Sequence, residues 1–121
     1  MDSGEFAKLR KRINKTQKEM AQLLGVSIKA IHSYEQGWRS IPAHVERQFL
    51  FLLSRKSENL EDCWRTMDCP EERKLKCTAW ELNSGTFCWF INGTMCEGEV
   101  HATWHDKMKY CRACKVLKTI L

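Results

Sequence analysis

Residues 16–37 read TQKEMAQLLGVSIKAIHSYEQG, and two short helices joined at Gly25 follow from that pattern. Met20, Ala21 and Leu24 recur at helical spacing and give the first helix one apolar face. Val26, Ala30, Ile31 and Tyr34 do the same for the second. Thr16, with Glu19 three residues on, has the signature of a capping box. Gly25 suits a sharp turn because it tolerates positive φ without a Cβ clash. Ser27 is placed to cap the second helix, and Gly37 to end it. The outward face of that helix is read as Ser27, Ile28, Lys29, His32 and Ser33.

Upstream, Phe6, Leu9 and Ile13 predict a helix over about residues 5–13, capped by Ser3 or Asp2. Downstream, Ser40-Ile41-Pro42 opens a fourth helix over about residues 43–55. Its inward stripe is read as Val45, Phe49, Leu52 and Leu53, with Phe51 off the stripe. Tyr34 is expected to belong to the core.

Composition changes abruptly near residue 57. Residues 1–57 carry 11 Lys/Arg and 5 Asp/Glu, and residues 58–121 carry 9 and 10. A basic first half suits a polyanionic partner. All 7 Cys follow residue 62, as do 4 of the 5 Trp. Residues 57–62, SENLED, read as a short polar linker or a frayed helix end. The longest apolar run, residues 49–53, is far short of the roughly 20 residues of a membrane span. The opening MDSGEFAKLRKR lacks the apolar region of a signal peptide, so a cytoplasmic protein without a membrane partner is expected.

The first half resembles the Cro-type (XRE-like) helix-turn-helix repressors. Leu9-Arg10, Thr16-Gln17, Ala21, Leu24-Gly25-Val26-Ser27, Ile31, Glu35, Gly37 and Pro42 carry the likeness. The resemblance implies double-stranded DNA as the partner, with the second motif helix in the major groove. It implies contacts from Gln17, Ser27, Ile28, Lys29, His32 and Ser33, and a backbone grip from Trp38 and Arg39. Lys29 would donate to guanine and Ile28 would touch a thymine methyl. Arg10 and Glu35, both among the residues that carry the likeness, are expected to form an internal ion pair and not to bind DNA. Two such helices one DNA turn apart make a homodimer the natural reader. The fifth helix that often helps this family dimerise is replaced here by the Cys-rich segment.

That segment holds Cys63, Cys69, Cys77, Cys88, Cys96, Cys111 and Cys114. It is too short to bury much apolar surface unaided, so a crosslink is expected. In a cytosolic protein with an odd number of Cys, metal is the better reading than disulfides. A weak repeat pairs Cys63-Trp64 and Cys69 with Cys88-Trp89 and Cys96. Cys111 and Cys114 form a CxxC, whereas His101 and His105, at i,i+4, are read as surface residues.

The segment resembles the cysteine-rich "two-CW" module found beside regulatory and sensory domains in bacteria, many of them anaerobes. Cys63-Trp64, Cys69, Cys77, Cys88-Trp89, Gly93-Thr94-Met95-Cys96, Cys111 and Cys114 carry this likeness. It implies that the Cys set acts as a unit. Four thiolates suit either Zn2+ or an iron–sulfur ([4Fe–4S]) cluster. The wide separations, the neighbouring Trp and the anaerobe association tilt the choice toward iron–sulfur.

The expected architecture is mainly α. A four-helix, lambda-repressor-like helix-turn-helix domain spans 1–57, and a small, irregular, metal-stapled Cys-rich domain spans 58–121. The expected function is sequence-specific DNA binding in transcription regulation, with metal binding and redox sensing by the second domain. The alternative is a zinc-stapled adaptor whose second domain recruits a protein. No Ser/His/Asp set, paired carboxylates or phosphate loop is visible. The CxxC lacks the βαβ pattern of a thiol–disulfide oxidoreductase, so no enzyme activity is expected.

Overall fold

The computed structural model of the chain describes residues 1–57, 60–91, 94–96, 99–101 and 103–121, and only the backbone of Met95 and Glu99. It divides into two compact units, Met1–Lys56 and Ser57–Leu121. Residues 58 and 59 of the SENLED stretch lie outside the described residues, as does Gly93 of the two-CW likeness. No helix among the described residues is long and apolar enough to cross a membrane.

The first unit holds α1 (Ser3–Arg12), α2 (Gln17–Leu24), α3 (Ile28–Gln36) and α4 (Ala43–Lys56). α3 packs on both α1 and α2, and α2 also meets α4. Phe6 of α1 anchors the core. It is wholly buried, with its ring centroid 5.0 Å from Phe49 and 5.9 Å from Tyr34. Burying one such side chain stabilises by about 1.5–3 kcal/mol.

The caps follow local chemistry. Asp2 Oδ1 accepts from the Glu5 amide at 2.7 Å, so α1 starts at Ser3, two residues before the expected start. Ser3 is thus inside the helix, and the cap is Asp2. Asn14 then takes φ of 57°, which stops the chain from continuing as a helix. Thr16 and Glu19 complete the capping box reciprocally, at 3.1 and 3.0 Å. Gly25 and Gly37 end α2 and α3 with φ of 67° and 77°.

The inward stripe of α4 is Val45, Phe49, Leu50 and Leu53. Leu52, expected in the core, is half-buried, and so is Phe51. Leu50 takes its place because the buried face includes a second row of four-residue steps, from Glu46 to Leu50 to Ser54, and Leu52 falls on the other side of Val45.

The second unit is built from short pieces. They are α5 (Cys63–Thr66), α6 (Glu71–Lys74), α7 (Thr78–Glu81), a 3-10 turn (Cys88–Phe90), α8 (Trp104–Cys111) and α9 (Lys115–Lys118). Strands β1 (Met95–Cys96) and β2 (Glu99–Val100) pair antiparallel, with Cys96 opposite Glu99. α8 packs on the 3-10 turn and on α9, and α9 also meets α5. Trp89, Leu117 and Ile120 are its most deeply buried large apolar side chains.

One glycine ties two of these pieces together. The Gly85 carbonyl accepts from the Cys63 amide at 2.8 Å. A Cβ at Gly85 would stand 2.7 Å from Asp62 Oδ1 and 2.8 Å from Trp64 Cζ3. Gly85→Ala is therefore expected to destabilise the second unit by about 1–3 kcal/mol, through overpacking. Urea unfolding followed by Trp emission reads this directly. A change below about 0.5 kcal/mol, the size of an ordinary surface substitution, would show that the contact relaxes at no cost.

Candidate functional site

α3 is amphipathic, and its two faces define the first candidate site. Ala30, Ile31, Ser33 and Tyr34 point inward. Ile28, Lys29, His32 and Gln36 are exposed and fall on one face by their spacing. Ser33 was expected outside, and the structure corrects this. It stands three residues after Ala30, on the inner edge of the helix, and is 8% exposed. Gln36 was missed. Its position four residues after His32 was the signal that could have found it.

The remaining expected contact residues divide by what already engages them. Ser27 is exposed, and its Oγ accepts from the Ala30 amide at 3.0 Å, so it serves the helix cap. Gln17, first residue of α2, donates its side-chain amide to Glu35 Oε2. Arg10 Nε donates to Glu35 Oε1 at 2.6 Å, which is the expected ion pair. Arg10 also donates to the Lys15 carbonyl at 2.7 Å. Glu35 thus fastens α1 and α2 to α3, seven residues after Ile28 and so at the border of the exposed face. Trp38, just past α3, is 71% exposed, and the His32 ring meets it edge-on at 5.3 Å. Arg39 is exposed, with its guanidinium 5.6 Å from the Tyr34 ring centre.

The second candidate site is a cavity of about 150 Å³ in the Cys-rich unit. Cys63, Cys69, Cys77, Cys88, Cys96 and Cys114 all line it. One water needs only roughly 10–15 Å³, so the space is large. Trp64 and Trp80 cover part of the wall, edge to face at 4.9 Å. Lys74 Nζ lies 4.4 Å from the Trp80 ring centre, and Arg73 also reaches the lining. Cys111 is buried nearby, at the end of α8. The Cys114 amide donates to its carbonyl at 2.9 Å, the tight turn of the CxxC.

The two Cys-Trp pairs each open a helical turn, and their thiols meet. The Cys88 thiol hydrogen-bonds to Cys63 and holds its pKa below the ordinary thiol value. The same bond and burial push Cys88 up. Burial also raises Cys69 and Cys96, and raises Cys111 to about 11. Most of these groups are therefore neutral thiols at pH 7, and a bound metal would have to displace their protons.

Among the described residues, no three of His, Cys, Asp or Glu are set to hold one metal ion. The expected closed four-thiolate site is thus not formed by the sulfurs as they stand. A pairwise thiol hydrogen bond such as that of Cys88 with Cys63 does not gather four sulfurs to metal-bonding distance. The donor chemistry nevertheless suits a thiolate-bound metal, since six sulfurs face one space. The two His do not share a helix face. His101 precedes α8 and lies against Tyr110 at 4.8 Å, whereas His105 is an exposed residue of α8.

Comparison with curated proteins and with solved structures returns no match. A family model described as helix-turn-helix matches residues 6–43, which span α1, α2, the Gly25 turn, α3 and the start of α4. Over those residues the first unit is therefore similar to the helix-turn-helix family.

Proposed function

We propose that this chain is a cytoplasmic transcription regulator that reads double-stranded DNA through α3. The reading rests on the helix-turn-helix domain and on one observation, the exposed row Ile28, Lys29, His32 and Gln36 on its second motif helix. Lys29 is the strongest reader, as a donor to guanine edges. Ile28, 49% exposed, suits a thymine methyl, and Trp38 and Arg39 suit the adjacent backbone. A homodimer would set two α3 helices one DNA turn apart.

Binding to a site selected from random duplexes tests this at fixed salt. Lys29→Ala is expected to weaken specific binding by about 1–3 kcal/mol, roughly 5- to 150-fold. Gln36→Ala is expected to weaken it less, and Ser33→Ala to leave the preferred base unchanged. Fluorescence anisotropy titrations measure all three. Equal loss on specific and random DNA for Lys29→Ala would reassign it from base reading to phosphate contact.

We further propose that the thiol cavity is the input site, holding a metal centre through four of its thiolates. What supports this is the convergence of six thiols on one space. An iron–sulfur cluster there would supply a redox- and oxygen-responsive centre, and zinc a structural one. Anaerobic purification with metal analysis and a visible spectrum distinguishes them. Operator affinity unchanged by air exposure would remove the sensing role.

A second reading, the zinc-stapled adaptor, is favoured by a different feature. Leu75, Leu82 and Val100 of the second unit are 61%, 58% and 59% exposed. Apolar side chains of this kind suit a protein partner where they form one contiguous patch. A colourless protein with stoichiometric zinc, and DNA binding indifferent to oxidant, would favour it.

A further inference from the structure

Lys107 is a lysine where none is expected. It lies on α8 and is wholly buried, at 0% exposure. Its Nζ donates to Thr94 Oγ1. The Cys96 thiol donates to the same oxygen at 3.9 Å, and Thr94 in turn donates to the Ile91 carbonyl at 3.5 Å. Among the described residues, no carboxylate pairs with Lys107. A buried ammonium is strongly unfavourable unless a negative charge accompanies it.

The groups its charge acts on are thiols. Cys96 shares the Thr94 hydroxyl with it, and Cys111 stands one turn further along α8. Thr94 and Cys96 both line the thiol cavity. Lys107 therefore stands behind the cavity wall, one hydroxyl away from the space that six sulfurs face.

We propose that Lys107 is the fixed counter-charge of the thiol cavity, and that the cavity takes a metal centre of net negative charge held only by thiolates, Cys96 among them. This rests on the metal reading above. Four thiolates on Zn2+ leave a doubly negative centre, and four on an oxidised iron–sulfur cluster do the same. Two thiolates with two imidazoles would leave zinc neutral and the ammonium unmatched. The exposure of His105 agrees with an all-sulfur set. Lys107 is then a positioning residue, acting electrostatically on the thiolate ligands and not by touching the metal.

The test uses the full chain, purified anaerobically as wild type, Lys107→Met and Lys107→Arg. Each is loaded with Zn2+ alone or with ferrous iron and sulfide, then challenged with increasing chelator. Methionine preserves size without charge, and arginine preserves charge with greater bulk. The expected order of metal retention is wild type, then Arg, then Met, with Met weaker by about 10- to 100-fold. A packing role predicts the reverse order for the two variants, and that result overturns the proposal. Glu97 and Glu99 are tested beside it: the double variant Glu97→Gln, Glu99→Gln is expected to retain metal as wild type does. Loss of metal there would identify a carboxylate as the partner and overturn the assignment. A wild-type chain that takes up neither metal would remove the metal reading itself, and this inference with it. A wild type that binds metal, with Lys107→Met binding equally, would remove this inference alone.

Discussion

Glu35→Ala is expected to cost the helix-turn-helix unit about 3–5 kcal/mol, the range for breaking a buried ion pair by removing one partner. The reason is the company Glu35 keeps. Its side chain is 5% exposed and that of Arg10 is 13% exposed, so neither charge has much water to fall back on. Removing the carboxylate strands the Arg10 guanidinium, which among the described residues keeps the Lys15 carbonyl at 2.7 Å. It also takes the acceptor from Gln17. A domain of this size is stable by roughly 0.05–0.15 kcal/mol per residue, so the loss is about a third of the total or more. Urea unfolding of the full chain by helical circular dichroism reads it. The double variant Arg10→Met, Glu35→Leu is expected to recover most of the loss, because apolar replacement of a whole buried pair is often neutral. A single-variant loss under about 1 kcal/mol would place the pair with exposed salt bridges. DNA binding should fall with stability, since α3 is then no longer fastened to α1 and α2.

What could be read in the sequence of this unit was local. Thr16 with Glu19, Ser27, Gly25 and Gly37 each solve a problem within three or four residues, and each appears where it was expected. The Arg10–Glu35 pair was readable too, because the resemblance supplied its long-range partner. Ser33 was misread because a small polar residue is chemically at home on either face. Only the packing phase, set by Ala30 and Tyr34, turns it inward. Leu50 and Leu52 were confused for a similar reason: both are apolar, and only the neighbours of α4 choose between them.

The second unit was legible in its chemistry and not in its path. Cys63-Trp64 and Cys88-Trp89 were seen as a repeat, and their thiols do meet. Gly85 and Lys107 were not singled out. The role of each arises from residues far off in the chain: Asp62 and Trp64 for one, Thr94 and Cys96 for the other. No local pattern marks a lysine for burial.

Removing metal is expected to have the largest effect of all, and to confine it to the second unit. Chelation under reducing, anaerobic conditions should unfold Ser57–Leu121 while α1–α4 remain helical. Four of its helices are four residues long, well below the roughly 12–15 residues at which isolated helices become even marginal. Two of its wholly buried side chains, Lys107 and Thr94, are polar and contribute little apolar burial. A unit this small rarely draws more than about 3–5 kcal/mol from its core, whereas structural zinc supplies about 10–16 kcal/mol at neutral pH. The Trp residues report the event almost selectively, because 4 of the 5 lie after residue 62. Trp89 is wholly buried and Trp38 is 71% exposed, so chelation should shift the emission to the red through the second unit alone. Helical circular dichroism should fall only by the contribution of the short helices, and readdition of the metal should restore both signals. Emission and near-ultraviolet dichroism unmoved by chelator would mean that the unit stands on Trp89, Leu117 and Ile120 without a staple. The thiol cavity would then be a reactive surface of a self-sufficient fold, and oxidant, not metal, would be the input to test next.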